Sequence, residues 1–359
     1  MKPANNRKNE HVSLAMNFFQ ESAKSDFDAL HYVHHSFPQM SVEEVDLSTS
    51  FATFQLDFPF YINAMTGGSD WTKKINKKLA TVAHETGIAM STGSVSAALK
   101  DPTVKDSFTI IREANPSGLV FANLGTGQSV ENAKKAVDLL NADALQIHIN
   151  APQELIMPEG DRDFSNWLDQ LSAISSALDV PIIAKEVGFG MSRETIELIL
   201  STGVKTIDIS GKGGTNFAQI ENYRRTTNKI DYLENWGQSS VISLLEAQDY
   251  LAKANILASG GIRHPLDIIK ALSLGSKAVG ISSLILNMVI KEGVGGTINQ
   301  INDWKDNLKS IMTMLGKNSI SDLQQSDLII TGEAKDWCLA RGIDYTRFAV
   351  RSTTKNQKT

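Results

Sequence analysis

The chain has 359 residues, of which 42% are hydrophobic and 7% aromatic, so it has ample apolar material for a large core. Its net charge of −5 and its lack of a basic tract argue against a nucleic-acid-binding protein. The one cysteine, Cys338, excludes an internal disulfide and a cysteine-based zinc cluster.

The sequence gives no sign of export or of membrane insertion. Its first residues, MKPANNRKNEHV, lack the apolar stretch of a signal peptide. The most apolar segment, AVGISSLILNMVI, has only 13 residues and contains serines and Asn287, so it is too short and too polar for a membrane span. We therefore expect a soluble, cytoplasmic protein.

From Pro59 onward, short apolar runs that end in Gly, Ser, Thr or Asn alternate with longer helical patterns. In chain order, the eight runs are PFYINAMTGGS, GIAMSTGS, GLVFANLG, ALQIHIN, VPIIAKEVG, TIDISGKGG, ILASGGIR and AVGISS. Helical patterns such as DWTKKINKKLATVAHE and HPLDIIKALSLG separate them. This alternation predicts a parallel sheet, and eight strands can close a TIM (β/α)8 barrel. An open doubly wound sheet is the alternative.

The fold class is thus expected to be α/β, a TIM barrel with N- and C-terminal extensions, and residues 1–359 to form one domain. Residues 1–58 form the N-terminal extension, 59–283 contain the barrel strands, and 284–359 form C-terminal helices and a tail. We expect a helix in INQINDWKDNLKSIMTMLG and disorder in STTKNQKT. The loop from Lys212 to Gly237 is long and polar, as lids and oligomer contacts often are.

Polar residues gather where the predicted strands end. The carboxyl ends of barrel strands meet at one rim, where active sites are built. Ordinary strand ends would explain one or two polar residues, but here one follows nearly every strand. The residues that would share the rim are Thr66, Ser94, Asn123, Asn150, Lys185, Ser210 and Gly261.

The stretch ASGGIRHPLDIIKALSLGSKAVGIS predicts a phosphate site. Gly260 and Gly261 follow the seventh strand, and a helix begins at about Pro265. Glycines let backbone amides approach a ligand, and the N-terminus of a helix favours an anion. The loops after strands seven and eight form the common phosphate site of these barrels. Arg263 could add a charge-assisted hydrogen bond to the phosphate or stack nearby.

The rest of the rim suits a planar, polar cofactor. Lys185 ends the fifth strand, where it either forms a salt bridge with Glu186 or Asp208 or faces a ligand. Beside the N1–C2=O edge of a flavin, Lys185 would stabilise the negative charge of the reduced ring. In LQIHINAPQE, the side chains of Gln146, His148 and Asn150 point to one face of a strand, towards the barrel mouth. A core histidine remains the alternative for His148.

Eight motifs together resemble the type 2 isopentenyl-diphosphate isomerase family: RKNEH, NAMTGG, STGS, ANLG, QIHINAPQE, AKEVGFG, DISGKGGTNF and ASGGIR. The resemblance runs from Arg7 to about Ser283, and QIHINAPQE and SGKGGTNF are its discriminating motifs. It implies a homo-oligomeric TIM-barrel enzyme, a tetramer or an octamer. It also implies interconversion of isopentenyl and dimethylallyl diphosphate with FMN, Mg²⁺ and either NADPH or NADH as reductant.

The resemblance also implies roles for particular residues. It implies FMN contacts at Thr66, Ser94, Asn123, Lys185, Ser210, Thr215, Gly260, Gly261, Ile262, Arg263, Ile281 and Ser282. Ala64 and Met65, which precede Thr66 at the end of strand one, are expected to contact the cofactor from the same rim. The resemblance implies substrate contacts at Arg7, Lys8, His11, His148, Asn150 and Gln153, of which the last three would also serve catalysis. Glu154 matches the Mg²⁺ ligand, and one carboxylate with phosphate oxygens and water suits that ion.

Some alternatives stay open, and one position departs from the family. Arg7 and Lys8 could be a solvated basic pair, and Glu154 a solvated loop carboxylate. Many members carry Gln-Arg after the Gly-Ser of strand two, where this chain has Val95 and Ser96. A diphosphate contact is therefore missing or replaced there.

The implied isomerisation requires protonation of an alkene, which is a weak base. No side-chain pair in the sequence is an obvious acid of the required strength. Reduced flavin could act as the acid and base instead. An FMN-dependent 2-hydroxy-acid oxidase would need a histidine base and an arginine where Lys212 and Thr215 stand. An inosinate-dehydrogenase-like barrel would need a loop cysteine, but Cys338 lies beyond strand eight. A non-catalytic flavin-binding barrel is disfavoured by the intact polar rim.

Overall fold

The computed structural model describes residues 4–19 and 24–352, with side chains from residue 8 onward. Arg7 lies in the first helix, but its side chain is outside the described residues. The expected disordered tail also lies outside them, apart from Ser352.

Eight parallel strands form a closed barrel, in which neighbours in the sequence are neighbours in space and the last strand pairs with the first. In chain order, the barrel strands and those preceding and following them are β1 (Leu30–Tyr32), β2 (Thr49–Phe51), β3 (Phe54–Leu56), β4 (Phe60–Ile62), β5 (Met90–Ser91), β6 (Val120–Gly125), β7 (Ala144–Ile149), β8 (Ile182–Glu186), β9 (Thr206–Asp208), β10 (Asn255–Ser259), β11 (Val279–Ile281) and β12 (Leu328–Ile330). Strands β4 to β11 are the barrel, and each comes from one predicted run. The prediction of a (β/α)8 barrel is confirmed, and the open sheet is excluded.

Helices surround the barrel and extend it at both ends. In chain order they are α1 (Ala4–Asn17), α2 (Asp70–Thr86), α3 (Ser96–Lys100), α4 (Asp106–Ala114), α5 (Val130–Leu140), α6 (Ala151–Ile156), α7 (Trp167–Ala177), α8 (Arg193–Ser201), α9 (Phe217–Arg224), α10 (Ser240–Glu246), α11 (Pro265–Ser273), α12 (Ser283–Lys291), α13 (Gly293–Met314), α14 (Ile320–Leu323) and α15 (Gly332–Arg341). Short 3₁₀ helices lie at Asp26–Ala29, Val42–Glu44, Pro102–Val104, Asp231–Leu233, Gln248–Tyr250 and Thr346–Val350.

Local sequence explains where these helices begin and end. In α2, the Ser69 hydroxyl caps the N-terminus by accepting the Thr72 N–H at 3.1 Å, and Gly87 ends the helix in the left-handed conformation. Ile75 and Leu79, four residues apart, are buried against the barrel. The predicted C-terminal helix is present as α13. The segment expected to be a polar loop, 212–237, contains α9 and a 3₁₀ helix.

The β2–β3 hairpin closes the amino-terminal end of the barrel. Phe51 and Leu56 pack with Tyr61, Phe121 and other side chains at that end of the barrel strands. This leaves the carboxyl end as the mouth. The two extensions also meet, because β1 pairs antiparallel with β12.

Glu246 anchors the C-terminal helices to the barrel. Its buried carboxylate accepts hydrogen bonds from Arg193 Nε at 3.0 Å, Trp337 Nε1 at 2.7 Å and Arg341 Nε at 2.8 Å. Burial acts to raise the pKa of Glu246, but the hydrogen bonds from these three donors outweigh it and lower the pKa to about 2. Within the described residues, no helix is long and apolar enough to cross a membrane.

Candidate active site

A cavity lies at the carboxyl end of the barrel, with α1 beside it. The structure brings together in its lining almost all the residues selected from the sequence: Lys8, His11, Ala64, Met65, Thr66, Ser94, Asn123, His148, Asn150, Gln153, Glu154, Lys185, Ser210, Thr215, Gly260, Gly261, Ile262, Ile281 and Ser282. The lining draws on every barrel strand or the loop that follows it, as the expected shared rim requires.

Arg263 is not part of the cavity lining. Its guanidinium pairs with Asp28 of the N-terminal extension at 2.6 Å and with Asp267 of α11 at 2.9 Å. The expectation that this side chain reaches a phosphate in the cavity is therefore corrected. Two carboxylates hold Arg263 outside the lining, where it ties the N-terminal extension to α11.

The loop after β10 has the glycine-dependent backbone that was expected of a phosphate-binding loop. Gly260 and Gly261 have φ angles of 90° and 75°, which side-chain-bearing residues rarely adopt. A Cβ on Gly260 would overlap the carbonyl oxygen of Gly211. The Ser240 hydroxyl fixes the loop by donating to the carbonyl of Gly260 at 2.6 Å. Helix α11 begins at Pro265, as predicted.

Thr66 offers a buried hydroxyl for a ligand. Its backbone carbonyl accepts from Asn76 Nδ2 at 3.1 Å and from the Gly93 N–H at 3.2 Å, which fixes its position. Its side-chain Oγ1 is buried, and no partner for it lies among the described residues. Because a buried polar atom is costly to leave unpaired, Thr66 suits a bound ligand with polar edges.

Lys185 lies in the cavity wall, and no carboxylate in the part of the chain that the structure describes forms a salt bridge with it. Its Nζ donates to the backbone carbonyl of Glu186 at 2.6 Å and to Ser210 Oγ at 3.2 Å. The Glu186 carboxylate instead accepts the backbone N–H groups of Val187, Gly188 and Phe189. Of the two alternatives for Lys185, the structure therefore favours the one in which it faces a ligand.

His148 is held by Asn123 on the neighbouring strand. Its Nδ1 lies 2.8 Å from Asn123 Oδ1. Burial, together with the ammonium groups of Lys8 and Lys185, lowers the pKa of His148 to about 3. The imidazole is therefore neutral at physiological pH. The side chains of Gln146 and His148 point to the same side of β7, as the alternation predicts.

Asn150, Gln153 and Glu154 form a connected polar cluster where β7 enters α6. Asn150 Nδ2 donates to Glu154 Oε1 at 2.9 Å and lies 3.3 Å from Gln153 Oε1. The other Glu154 oxygen accepts the Asp161 N–H at 2.9 Å. No group of three His, Cys, Asp or Glu side chains that could hold a metal occurs within residues 8–19 and 24–352. Any metal bound at Glu154 would therefore not be held by three such side chains of the described residues.

Glu221 is a site residue that the sequence analysis missed. Its side chain is fully buried and accepts a hydrogen bond from Gln153 Nε2 at 3.0 Å. His11 Nε2 lies 3.0 Å from the same carboxylate, and Arg224 pairs with it. Burial acts to raise the pKa of Glu221, but these neighbours outweigh it and lower the pKa to about 2. Glu221 fell in the segment expected to be a polar loop.

Arg224 links this part of the site to α1. Its guanidinium contacts Glu10 of α1 at 3.4 Å and Glu159 at 2.6 Å, besides Glu221. These contacts and that of His11 with Glu221 hold α1 beside the cavity.

The departure from the family pattern lies in the cavity wall. Ser96 lines the cavity and its hydroxyl is 3.1 Å from that of Ser94, whereas Val95 is fully buried. Of the nearby basic residues, Lys8 of α1 belongs to the lining, whereas Lys100 at the end of α3 does not.

The comparisons with known proteins agree with this geometry. A sequence profile described as FMN-dependent dehydrogenase matches residues 122–330. The flavin-binding domain of baker's yeast flavocytochrome b2 has a similar fold, with a TM-score of 0.63, 19% identity and 90% coverage of both chains. A lactate oxidase structure from Pediococcus acidilactici matches with a TM-score of 0.64 and 15% identity, over 90% of this chain and 87% of that one. Fold and profile thus define a (β/α)8-barrel enzyme of the FMN-dependent class.

Curated relatives specify the family further. A protein of Staphylococcus haemolyticus named isopentenyl-diphosphate delta-isomerase is 52% identical over 341 residues, which are 95% of this chain and 97% of the relative. One of the same name from Staphylococcus saprophyticus is 51% identical, over 94% of this chain and 97% of the relative. The chain belongs to the isopentenyl-diphosphate delta-isomerase family, in its FMN-dependent type 2 form, and is an isomerase.

Proposed function

We propose that this chain interconverts isopentenyl and dimethylallyl diphosphate, with reduced FMN as the acid and base and Mg²⁺ holding the diphosphate. The observation that carries the proposal is the make-up of one cavity. A glycine cradle lies in one part of its wall, and a polar cluster with a single carboxylate, Glu154, in another. The first suits a cofactor phosphate, and the second suits a substrate diphosphate with its metal.

The cavity residues fit FMN. The cradle of Gly260 and Gly261 suits the phosphate, the unpaired Thr66 hydroxyl suits a polar ring edge, and Lys185 suits the anionic edge of the reduced ring. When bound and reduced, FMN would supply a proton at N5 and an electron-rich ring beside the reacting carbons. NADPH is the proposed reductant.

Glu154 is the proposed ligand of Mg²⁺. Mg²⁺ is commonly held by one or two carboxylates plus substrate phosphate oxygens and water. The Glu154 carboxylate is oriented by Asn150 and by the Asp161 N–H, which each occupy one of its oxygens and leave further lone pairs. Asn150 would position the metal ligand in this way.

The substrate would lie between the polar cluster and α1. Lys8 and His11 line the cavity from α1 and suit the diphosphate, and Arg7 on the same helix is proposed to join them. Ser96 is proposed to offer a hydroxyl where many relatives carry an arginine. Gln153 Nε2 donates to the Glu221 carboxylate. Gln153 Oε1 and the His148 ring would then be the hydrogen-bond acceptors near the reacting carbons.

The organisation of the chain beyond the site is also part of the proposal. The pairing of β1 with β12 supports one domain that includes both extensions. A homo-oligomer, a tetramer or an octamer, is proposed from the family resemblance.

The structural neighbours include hydroxy-acid oxidases, but the cavity suits their chemistry poorly. Such an enzyme would need a histidine and an arginine just after β9. Lys212 stands at the first position, and its Nζ donates to the carbonyl of Asn235 outside the cavity lining. Thr215 stands at the second. Among the described side chains, none of those in the lining is an arginine.

The proposal is tested by colour and by turnover. The purified protein should be yellow and should bleach when dithionite or NADPH is added. The reduced protein with Mg²⁺ should convert isopentenyl diphosphate to its isomer. A colourless protein that does not bind added FMN would refute the cofactor assignment, and oxidation of lactate or glycolate would favour the oxidase.

A further inference from the structure

We infer that a chain of buried side-chain amides, whose hydrogen bonds all run in the same direction, decides which ring nitrogen of His148 carries the proton. The chain runs from His148 through Asn123, Gln146 and Asn63 to Asp208. It leaves Nε2 of His148 as a hydrogen-bond acceptor. The consequence for catalysis rests on the proposed function, but the arrangement itself does not.

The chain begins at Asp208, in the floor of the barrel mouth. Four donors surround its carboxyl group: Tyr61 OH at 3.2 Å, Asn63 Nδ2 at 2.8 Å, the Ser210 N–H at 3.1 Å and Ser259 Oγ at 2.7 Å. Burial and the neighbouring Asp208 raise the pKa of Tyr61 well above its usual value, so the phenol keeps its proton and donates. Both oxygens of Asp208 therefore act as acceptors.

The orientation of the Asn63 amide follows from two neighbours whose roles cannot change. Its Oδ1 accepts the backbone N–H of Ala64 at 2.8 Å, and a backbone N–H can only donate. Its Nδ2 faces the Asp208 carboxylate at 2.8 Å. A flipped amide would place donor against donor and acceptor against acceptor. Asn63 Oδ1 is thus fixed on the side that faces Gln146.

Each later amide inherits its orientation from the one before it. Gln146 Nε2 donates to Asn63 Oδ1 at 3.2 Å, so Gln146 Oε1 points the other way. That oxygen accepts from Asn123 Nδ2 at 3.1 Å and from Ser91 Oγ at 2.6 Å. Asn123 Oδ1 therefore faces His148. Gln146 is fully buried and Asn123 is 3% exposed, so these bonds are largely shielded from bulk water.

The last link sets the tautomer of His148. Since Asn123 Oδ1 is an acceptor, the His148 Nδ1 that lies 2.8 Å from it must carry the proton. A neutral imidazole has one N–H, so Nε2 has a free lone pair. The low pKa of His148 agrees with a neutral ring. Nε2 lies on the side of Gly125, where an added Cβ would approach it to 3.0 Å.

It follows that His148 does not protonate the substrate. Its only proton is held by Asn123, and its free nitrogen can accept a hydrogen bond but not donate one. Under the proposed function, the proton for the alkene comes from elsewhere in the cavity, and His148 orients a donor there. Asn63, Gln146 and Asp208 are positioning residues, since they act through His148.

The test measures the proton on the ring and needs no turnover. The full chain loaded with FMN is prepared with histidine labelled with nitrogen-15 at Nδ1 only, and solid-state spectra are recorded at about pH 8, where exposed histidines are neutral. His148→Gln identifies the signal by its loss. We expect the shift of a protonated nitrogen, unchanged at about pH 5.5. An unprotonated Nδ1, or an imidazolium, overturns the inference.

Two variants test whether the amide chain is the cause. Gln146→Met removes the middle link at similar volume, which frees Asn123 to rotate, so more than half of the His148 signal should move to the unprotonated position. Ser91→Ala is the matched control: it removes a hydrogen bond to the same Gln146 oxygen but keeps the direction of the chain, so the signal should stay. A protonated Nδ1 that persists in Gln146→Met overturns the chain as the cause.

If Gln146→Met does not fold, Asn123→Leu takes its place with the same expectation, because it removes the acceptor itself. The result is also separable from the proposed function. A failed isomerase assay with a protonated Nδ1 refutes the proposed function alone, whereas an active isomerase with an unprotonated Nδ1 refutes this inference alone.

Discussion

The Glu154→Gln variant tests the proposed metal ligand most sharply. The change keeps the shape of the side chain and removes its negative charge. In the structure, one oxygen accepts from Asn150 Nδ2 and the other from the Asp161 N–H. The new amide can satisfy only one of these donors, so the loss within the protein is about one hydrogen bond, or roughly 1 kcal/mol.

The expected loss of activity is larger than that. A metal ion that neutralises phosphate charge contributes several kcal/mol to catalysis, and each 1.36 kcal/mol corresponds to a tenfold change in rate. We therefore expect kcat/KM to fall by roughly a hundredfold or more. The Mg²⁺ concentration needed for half-maximal rate should rise, while FMN absorbance per chain stays the same. The assay is isomer formation by the reduced protein across a Mg²⁺ titration.

Asp163→Asn is the matched control. It makes the same charge change on the same loop, but among the described residues the Asp163 carboxylate bonds only to Ser165, at 3.0 Å and 2.7 Å. Its activity should stay within about fivefold of the parent, since an exposed group contributes at most about 1 kcal/mol, which corresponds to about fivefold in rate. The reasoning on Glu154 is refuted if Glu154→Gln keeps parental activity and Mg²⁺ dependence, or if both variants lose activity equally.

Three further changes test the rest of the site and the fold. Thr66→Val should leave the stability of the flavin-free protein unchanged, because the Thr66 hydroxyl has no partner among the described residues. It should weaken FMN binding by about two- to tenfold in a fluorescence titration. An unchanged affinity for FMN would contradict the role of this hydroxyl. Gly260→Ala should purify with much less flavin, as measured by absorbance. A Cβ at this position would overlap the Gly211 carbonyl oxygen, and the φ of 90° disfavours any side chain. A normal flavin content would contradict the proposed phosphate cradle. Glu246→Ala should lower the free energy of unfolding by about 3 kcal/mol in urea titrations, because it leaves two arginines without their buried carboxylate. The pKa of Glu246 is lowered to about 2 in the folded protein from an ordinary value of 4.5. Its contribution to the free energy of unfolding is therefore complete above about pH 4.5 and is lost as the pH falls towards 2. The free energies of unfolding of parent and variant should converge in acid.

The barrel and most of its rim could be predicted because both depend on local patterns. Each apolar run with a polar end became a barrel strand, and the rim follows from the geometry of the fold alone. Alternation along β7 placed Gln146 and His148 on one side of the strand. For Lys185 the sequence allowed either a salt bridge or a ligand contact, and the hydrogen bonds of its Nζ in the folded protein distinguish the two.

The remaining errors concern pairings across the barrel, which sequence spacing does not encode. Asn63 and Gln146 meet although 83 positions separate them, so their amide chain could not be read from either strand. Arg263 was expected at a phosphate because of its loop, but Asp28, 235 positions away, pairs with it. Glu221 became a site residue only because α9 and α1 pack beside the cavity.

The central claim is that this cavity isomerises an allylic diphosphate with reduced FMN and Mg²⁺. The most direct measurement incubates the FMN-loaded protein and isopentenyl diphosphate with and without dithionite, at saturating and at chelated Mg²⁺. The account predicts dimethylallyl diphosphate only when reductant and Mg²⁺ are both present. Equal turnover in all four conditions, or none in any, would contradict it.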